Sequence, residues 1–217
     1  MKDTYRHKGL RKKLVDSIGR KGIQDEKILA AMKAIPRHFF LDNAFEEWAY
    51  QDKAFPIGYE QTISQPFTVA YQTSLLEVKK RDKIMEVGTG SGYQAALLAA
   101  LGARVFTIER QEALHNEAKN LLSKMGFGNI RFYFKDGYKG LPEFAPFDKI
   151  LVTAGASKIP EELKKQLKTG GIMVVPVGNS KVQRMYKITR ITENEYLEEK
   201  LDNFRFVPFL KGVNKVD

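Results

Sequence analysis

The chain has 217 residues, of which 43% are hydrophobic and 29% charged, a composition typical of a folded domain rather than a disordered chain. It contains no cysteine, which excludes disulfides, thiolate metal sites and catalysis by a thiol, and with only three histidines we expect no ordinary zinc site. The net charge of +10 would suit an acidic partner such as nucleic acid, but it also describes an ordinary solvated surface.

Targeting and membrane signals are not evident. Residues 1–13 are basic, but no apolar segment follows them, so we expect no secretory signal. The sequence contains no run of about 18 apolar residues, so we expect no transmembrane helix. The default expectation is a monomer in the cytoplasm that contacts no membrane.

Residues 1 to about 50 predict helices. The apolar positions of the first helix recur with helical spacing at Leu10, Leu14, Val15 and Ile18. Asp25 can cap a second helix, which Pro36 ends. A short third helix is expected over 44–50.

Residues 51–67 predict a long polar loop, because Pro56, Gly58 and Pro66 interrupt regular structure. Long loops in compact domains often carry function. A further helix is expected over 68–78.

From residue 81 the pattern alternates between strands and helices. Strands are expected at 83–87, 104–108, 130–134, 148–153 and 172–176, with helices at 94–101, 111–125 and 160–167. This alternation predicts a mostly parallel, doubly wound sheet, and looser alternation over 182–207 predicts antiparallel strands at one edge. We expect one α/β domain, in which residues 1–80 hold the N-terminal helices and an active-site loop, 81–178 a cofactor-binding core, and 179–217 the C-terminal strands.

A glycine-rich loop marks the expected ligand crevice. The first strand of the core runs directly into Gly88-Thr89-Gly90-Ser91-Gly92, and a helix follows. Glycine at every second position lets a ligand approach the backbone closely, because no Cβ intrudes. Glu109 ends the next strand, 109 − 88 = 21 residues after the first glycine, where an acid can accept hydrogen bonds from both ribose hydroxyls.

The spacing and charge of this loop favour S-adenosylmethionine as the cofactor. A dinucleotide fingerprint reads G-x-G-x-x-G, whereas this loop reads G-x-G-x-G. Glu86 precedes the loop, where a carboxylate would repel a pyrophosphate but attract the ammonium and sulfonium of S-adenosylmethionine. The alternative is a glycine turn that only packs a helix on a strand.

Two further acids lie near strand ends. Asp136, with Gly137, follows the third strand of the core, where it could accept a hydrogen bond from an adenine amino group. Asp148 begins the fourth strand, and we favour a turn or strand-entry role for it over ligand binding.

Several motifs together resemble the protein-L-isoaspartate O-methyltransferase family. They are Gly22–Asp25, Gln61-Thr62-Ile63-Ser64-Gln65-Pro66, Glu86–Tyr93, Asp136-Gly137, Ala145–Asp148, Gly170–Gly178 and Arg205–Pro208. The resemblance implies a Rossmann-like methyltransferase fold. It also implies methyl transfer from S-adenosylmethionine to the α-carboxylate of L-isoaspartyl residues in damaged proteins, as the start of repair through a succinimide.

The resemblance also implies roles for individual residues. Ser64 matches the family's active-site serine, and the matching cofactor contacts are Gln61, Thr62, Ile63, Glu86, Gly88, Thr89, Gly90, Gly92, Glu109, Arg110, Asp136 and Gly137. Phe67 stands where the family often has His or Tyr, and Thr68 where Met is common, so family contacts from these two positions do not carry over.

The expected chemistry needs no general base. Methyl transfer from a sulfonium is an in-line displacement, and a carboxylate is already ionised at neutral pH because its pKa is about 4. Positioning is then the protein's main task. Ser64 would orient the carboxylate by a hydrogen bond, although it could also cap the helix that begins near Pro66. The segment Val207–Leu210 could form a wall for the peptide or pack as an edge strand.

Two rival functions remain open from the sequence. An S-adenosylmethionine-dependent RNA methyltransferase would use the basic charge. Against it, residues 152–156 after the fourth strand read Val-Thr-Ala-Gly-Ala, which cannot stack a flipped base. A binding protein that only kept the cofactor fold is the second rival, and the intact glycine loop with both acids argues against it.

Overall fold

The N-terminal segment folds into helices, as its periodicity predicts. The computed structural model describes residues 2–216. Helix α1 spans Tyr5–Arg20 and α2 spans Glu26–Ala34, and the Asp25 carboxylate caps α2 by accepting a hydrogen bond of 2.8 Å from Lys27 N. The third helix, expected over 44–50, is a 3-10 helix at Asn43–Trp48, and a further 3-10 helix, Arg37–Phe40, precedes it.

A buried arginine ties these N-terminal elements together. Arg11 Nε donates to the Lys33 carbonyl (2.7 Å), and its other nitrogens bind Tyr50 Oη (2.9 Å) and both carboxylate oxygens of Asp3 (3.0 and 2.8 Å). Potential metal-ligating atoms of Asp3, His7 and His38 lie within 4.8 Å of one another. Because both Asp3 oxygens are paired with Arg11, this cluster is explained as an ion-pair network.

The expected polar loop over 51–67 contains a β-hairpin. Strands β1 (Phe55–Gly58) and β2 (Gln61–Ile63) pair antiparallel. With four and three residues, both are too short for alternation to appear in the sequence. Helix α3 (Pro66–Leu76) follows and begins two residues earlier than expected.

The remaining strands form one sheet in the order β5-β4-β3-β6-β7-β8-β9. They are β3 (Lys83–Val87), β4 (Arg104–Glu109), β5 (Ile130–Phe134), β6 (Phe147–Val152), β7 (Leu167–Gly178), β8 (Gln183–Arg190) and β9 (Tyr196–Phe204). The first five are parallel and the last two antiparallel, which confirms the predicted fold class. Strand β7 begins five residues earlier than expected, at Leu167, so the helix before it, α6 (Glu161–Lys164), has a single turn.

Apolar cores cover both faces of the sheet. Along β3, Ile84 belongs to the core that includes the buried side chains of α1, α2 and α3, whereas Met85 and Val87 belong to the core on the opposite face. Helices α4 (Tyr93–Ala100) and α5 (Glu112–Lys124) connect β3 to β4 and β4 to β5. No helix within residues 2–216 is long and apolar enough to cross a membrane.

The strand order also determines where a ligand crevice opens. The chain proceeds from β3 to one side of the sheet through β4 and β5, and then crosses to the other side at β6. In such sheets ligands bind beyond the carboxyl ends of the strands at this reversal.

Candidate active site

A cavity opens at this point, beyond the carboxyl ends of β3, β4 and β6; we call it the central cavity. Its wall includes the β1–β2 hairpin, the glycine loop, the ends of β4 and β6, and a C-terminal segment after β9. Of the sequence-predicted site residues, it brings together Gln61, Thr62, Ile63, Ser64, Gly88, Thr89, Gly90, Glu109, Arg110 and Gly137. Glu86, Gly92 and Asp136 are not part of this wall.

The three glycines of the loop serve different contacts. All have positive φ angles: 101° at Gly88, 52° at Gly90 and 87° at Gly92. A Cβ on Gly88 would collide with Thr153 Oγ1, and one on Gly92 would lie 2.8 Å from Leu122 Cδ1. Gly88 and Gly92 therefore make room for the protein's own side chains, whereas a Cβ on Gly90 would meet only Ile57 Cδ1, at 3.5 Å.

Glu109 is held rigidly at the cavity wall. One carboxylate oxygen accepts a hydrogen bond from Gly90 N (2.9 Å), and the other accepts from Arg110 N (2.8 Å) and Gln111 N (2.9 Å). The carboxylate thereby ties the glycine loop to the end of β4. Each oxygen can accept more than one hydrogen bond, so the group can still accept bonds from a ligand.

Glu86 lies behind the glycine loop with no exposed surface. One of its oxygens accepts a hydrogen bond of 2.5 Å from Thr107 Oγ1, which in turn lies 2.6 Å from Thr89 Oγ1 in the loop. The other oxygen has no hydrogen-bond partner among residues 2–216. Burial raises the pKa of Glu86 to about 8, against the lowering effect of Thr107. Glu86 does not line the central cavity, and the expected attraction between its carboxylate and the cofactor stays a prediction.

Asp136 anchors the C-terminal segment instead of reaching the cavity. One of its oxygens accepts a hydrogen bond from Tyr138 N and the other from Gly212 N, both at 2.9 Å. The adjacent Gly137 lines the cavity. Asp148 lies at the opposite, amino end of the parallel strands, where it accepts a hydrogen bond from Lys83 N (2.7 Å) and pairs with Lys168. These contacts agree with the turn or strand-entry role that we favoured for Asp148.

The segment Val207–Leu210 is a wall of the cavity, and sequence reasoning left its role open. Val207 O accepts a hydrogen bond from Gly155 N, and Phe209 N donates to Gly155 O, both at 2.8 Å. The segment therefore pairs with the loop after β6 rather than extending the sheet edge. Phe209 stacks on Tyr138, with ring centroids 4.0 Å apart. Phe209 belongs to the segment that the sequence offered as a possible wall, whereas nothing in the sequence pointed to Tyr138.

Ser64 does not cap α3. The residue before the helix is Gln65, and its side chain makes no capping bond. Asp52 takes this role, because its carboxylate accepts a hydrogen bond of 2.8 Å from Phe67 N in the first turn and also pairs with Lys21 (2.6 Å). The half-buried Ser64 Oγ has no hydrogen-bond partner within the described residues 2–216.

A second depression, which we call the side groove, joins the central cavity at Ser64. Four residues line both spaces: Thr62, Ser64, Thr153 and Val207. Farther along, the groove is lined by Thr68, Val182, Asn203, Phe204, Arg205 and Phe206. Arg205 is the single charged residue in this lining. Thr68 thus lies in the groove wall, whereas Phe67 packs against Tyr71, with ring centroids 6.0 Å apart.

Of the hydroxyl groups at the junction, Ser64 is the best placed to meet a ligand. Thr153 Oγ1 already donates to backbone carbonyls of Val87 and Gly88 at 3.1 and 2.7 Å. Thr62 is exposed to solvent, whereas Ser64 is half-buried. The Ser64 hydroxyl is therefore a hydrogen-bond donor available to a ligand between the two connected spaces. The residues that line these spaces include no His–acid pair that could act as a general base.

Comparisons with known proteins point to one family. The family model described as protein-L-isoaspartate(D-aspartate) O-methyltransferase matches residues 9–214. A protein-L-isoaspartate O-methyltransferase of Christiangramia forsetii is 55% identical over 214 residues, covering 99% of this chain and 100% of that protein. One from Dictyoglomus turgidum is 47% identical over 210 residues, covering 97% and 94%.

Solved structures agree. A protein-L-isoaspartate O-methyltransferase superimposes with a TM-score of 0.83 at 30% identity, over 91% of this chain and 65% of that one. A Plasmodium falciparum protein described as a protein-L-isoaspartate O-methyltransferase, solved with S-adenosyl-L-homocysteine, gives a TM-score of 0.82 at 25% identity, over 93% and 98%.

Proposed function

Because the chain belongs to the protein-L-isoaspartate(D-aspartate) O-methyltransferase family, we propose that its two connected spaces divide the reaction, with the cofactor in the central cavity and the damaged peptide in the side groove. The reaction transfers a methyl group from S-adenosylmethionine to the α-carboxylate of an L-isoaspartyl residue. The ester then closes to a succinimide, which hydrolyses in part to normal aspartate.

The lining of the central cavity suits a nucleoside with a polar tail. Glu109 offers carboxylate oxygens for ribose hydroxyls, and Gly90 allows close approach of the backbone. Val87, Ile108 and Phe209 supply apolar surface for a base. When bound, S-adenosylmethionine supplies a methyl group activated by a sulfonium. We propose that Gln61, Thr62, Ile63, Thr89, Arg110 and Gly137 complete the cofactor site.

The free hydroxyl of Ser64 is the observation that carries the catalytic proposal. Asp52 caps α3, so the Ser64 side chain is available at the junction of cavity and groove. We assign it the role of donating a hydrogen bond that orients the substrate carboxylate for in-line attack. No proton needs to be removed, because the carboxylate is ionised at neutral pH.

Ser64→Ala tests this role. We expect turnover to fall by about ten- to a hundredfold, because loss of orientation at the reacting atoms is felt mainly in the rate. Affinity for S-adenosyl-L-homocysteine, measured by calorimetry, should stay near that of the native protein. Ser74→Ala is the matched control, since its hydroxyl donates to the Tyr71 carbonyl inside α3. Unchanged turnover in Ser64→Ala would remove Ser64 from the mechanism.

The acceptor itself is tested with labelled cofactor. An isoaspartyl peptide should be methylated, whereas its normal-aspartyl counterpart and an RNA control should not. Labelling of both peptides alike would contradict specificity for isoaspartate, and labelling of RNA alone would support the rival RNA methyltransferase. Location in the cytoplasm, the monomeric state, and the absence of nucleic-acid and membrane partners stay predictions.

A further inference from the structure

Arg37 is enclosed behind the active site, with 1% of its surface exposed, and it lines neither the central cavity nor the side groove. Its Nε donates to the Ala49 carbonyl (3.0 Å), and its Nη2 donates to the Lys53 (3.4 Å) and Ser64 (3.0 Å) carbonyls. Lys53 precedes β1 and Ser64 follows β2. One guanidinium therefore joins the two ends of the hairpin at its base.

The same guanidinium contacts the cofactor side of the site. Its central carbon lies 5.1 Å from the centre of the Tyr93 ring, and Tyr93 begins α4 directly after the glycine loop and lines the central cavity. The third nitrogen, Nη1, has no hydrogen-bond acceptor in the described part of the chain. Burial lowers the pKa of Arg37 to about 10, which leaves it cationic at neutral pH.

Folding stability alone does not explain this arrangement. Arg37 forms no ion pair with a carboxylate among residues 2–216, and burying a cation without one is costly. Apolar residues of similar volume usually stabilise a buried position as well or better. A planar group with several donors at fixed angles can, however, hold three carbonyls and an aromatic face in one geometry, which a lysine cannot do.

We propose that Arg37 is a positioning residue for methyl transfer, which fixes Ser64 on the acceptor side relative to Tyr93 on the cofactor side. In-line attack requires the carboxylate and the methyl group to be aligned, and misplacement by about 1 Å can reduce the rate about a hundredfold. The inference rests on the proposed role of Ser64.

The inference is tested by comparing the variant Arg37→Lys with the control variant Arg11→Lys. Arg11 is a matched control, because it is also buried, binds the Lys33 carbonyl and supports the same N-terminal elements, but contacts neither Ser64 nor Tyr93. For each variant, turnover of an isoaspartyl peptide is expressed per site that binds S-adenosyl-L-homocysteine, so unfolded molecules are not counted. Thermal unfolding is recorded in parallel, and Arg37→Gln provides a second, neutral variant.

We expect both Lys variants to lose stability, but only Arg37→Lys and Arg37→Gln to lose turnover, by about a hundredfold per binding site. Combination with Ser64→Ala should add little further loss, because both changes act on the same carboxylate. Equal turnover in the Arg37 and Arg11 variants would overturn the inference. So would complete loss of cofactor binding in both Arg37 variants, because Arg37 would then support the whole fold. Lack of isoaspartyl methylation by the native protein would instead contradict the proposed function.

Discussion

The carboxyl group of Glu86 is completely enclosed, and burial raises its pKa to about 8. Through Thr107 it connects to Thr89 in the glycine loop, so three buried polar side chains link the sheet to the wall of the central cavity. These hydrogen bonds support the glycine loop from behind. The local sequence, an acid two residues before the first glycine, does not reveal that this carboxyl group is enclosed.

The raised pKa of Glu86 predicts a pH-dependent stability. Between pH 4.5 and about 8 the unfolded chain binds fewer protons at this group than the folded protein, so its contribution to stability decreases as pH rises. Glu86→Gln is neutral in both states. The difference in free energy of unfolding between Glu86→Gln and the native protein should therefore shift in favour of the variant from pH 5 to pH 8. The size of this change is about 1.4 kcal/mol for each unit by which the pKa is raised. Urea denaturation at several pH values measures this difference.

Glu77→Gln is the control for this series. A hydrogen bond from Lys187 lowers the pKa of Glu77, so its contribution changes below pH 4.5 and should be constant from pH 5 to pH 8. A stability difference for Glu86→Gln that did not vary over this range would mean that the carboxyl group is ionised in the folded protein.

At the scale of elements, the end of the glycine loop lies directly against α5. Gly92 has a φ angle of 87°, and the side chains of Leu122 and Ala118 occupy the space where its Cβ would be. The absence of a side chain on Gly92 therefore lets the loop lie close to α5. This contact gives Gly92 a reason to be glycine that does not involve the cofactor.

Gly92→Ala and Gly126→Ala separate packing from backbone strain. Both glycines have similar positive φ angles, 87° and 84°, but nothing lies within 4 Å of a Cβ on Gly126. Both variants should lose stability through strain, and Gly92→Ala should lose about 1–3 kcal/mol more because of overpacking. Chemical denaturation gives the two values, and equal losses would contradict the packing explanation.

The hairpin and the cap of α3 explain why the element prediction failed at 51–67. The turn between β1 and β2 is made by Tyr59 and Glu60, with φ angles of 51° and 56°, whereas the usual sequence signal for such a turn is Asn-Gly. The cap of α3 comes from Asp52, which lies 15 residues before the hydrogen-bond donor. Sequence rules for helix capping consider only residues next to the helix, so they predicted Ser64 as the cap of α3.

At the scale of the whole molecule, the chain after β9 connects the two spaces of the site. Phe206 lines the side groove and Phe209 lines the central cavity, so neighbouring residues of one segment face the proposed peptide and the proposed cofactor. Its position depends on Gly155 after β6, and on Asp136 after β5, which binds Gly212 N.

Alanine substitutions of Phe206 and Phe209 should affect different steps of the reaction. Phe209→Ala removes a ring that stacks on Tyr138 and lines the central cavity. Aromatic pairs contribute about 0.5–1.5 kcal/mol beyond the area that they bury. We therefore expect S-adenosyl-L-homocysteine to bind about tenfold more weakly. Phe206→Ala should mainly raise KM for the isoaspartyl peptide. Calorimetry and steady-state kinetics measure the two quantities, and identical patterns in both variants would contradict the division into two spaces.

The sequence by itself determined the fold class, the position of the glycine loop and Glu109, and, through resemblance, the family, whereas the role of Ser64 stays a prediction. These features follow from short-range periodicity, from spacing along one strand–loop–helix unit and from contiguous motifs, all of which are local. Only the tertiary structure shows that Glu86 is enclosed, that Asp52 rather than Ser64 caps α3, and that Arg37 contacts both the hairpin and Tyr93. The physical reason is that burial, the pKa values it shifts and hydrogen bonds between distant segments depend on which residues folding brings together.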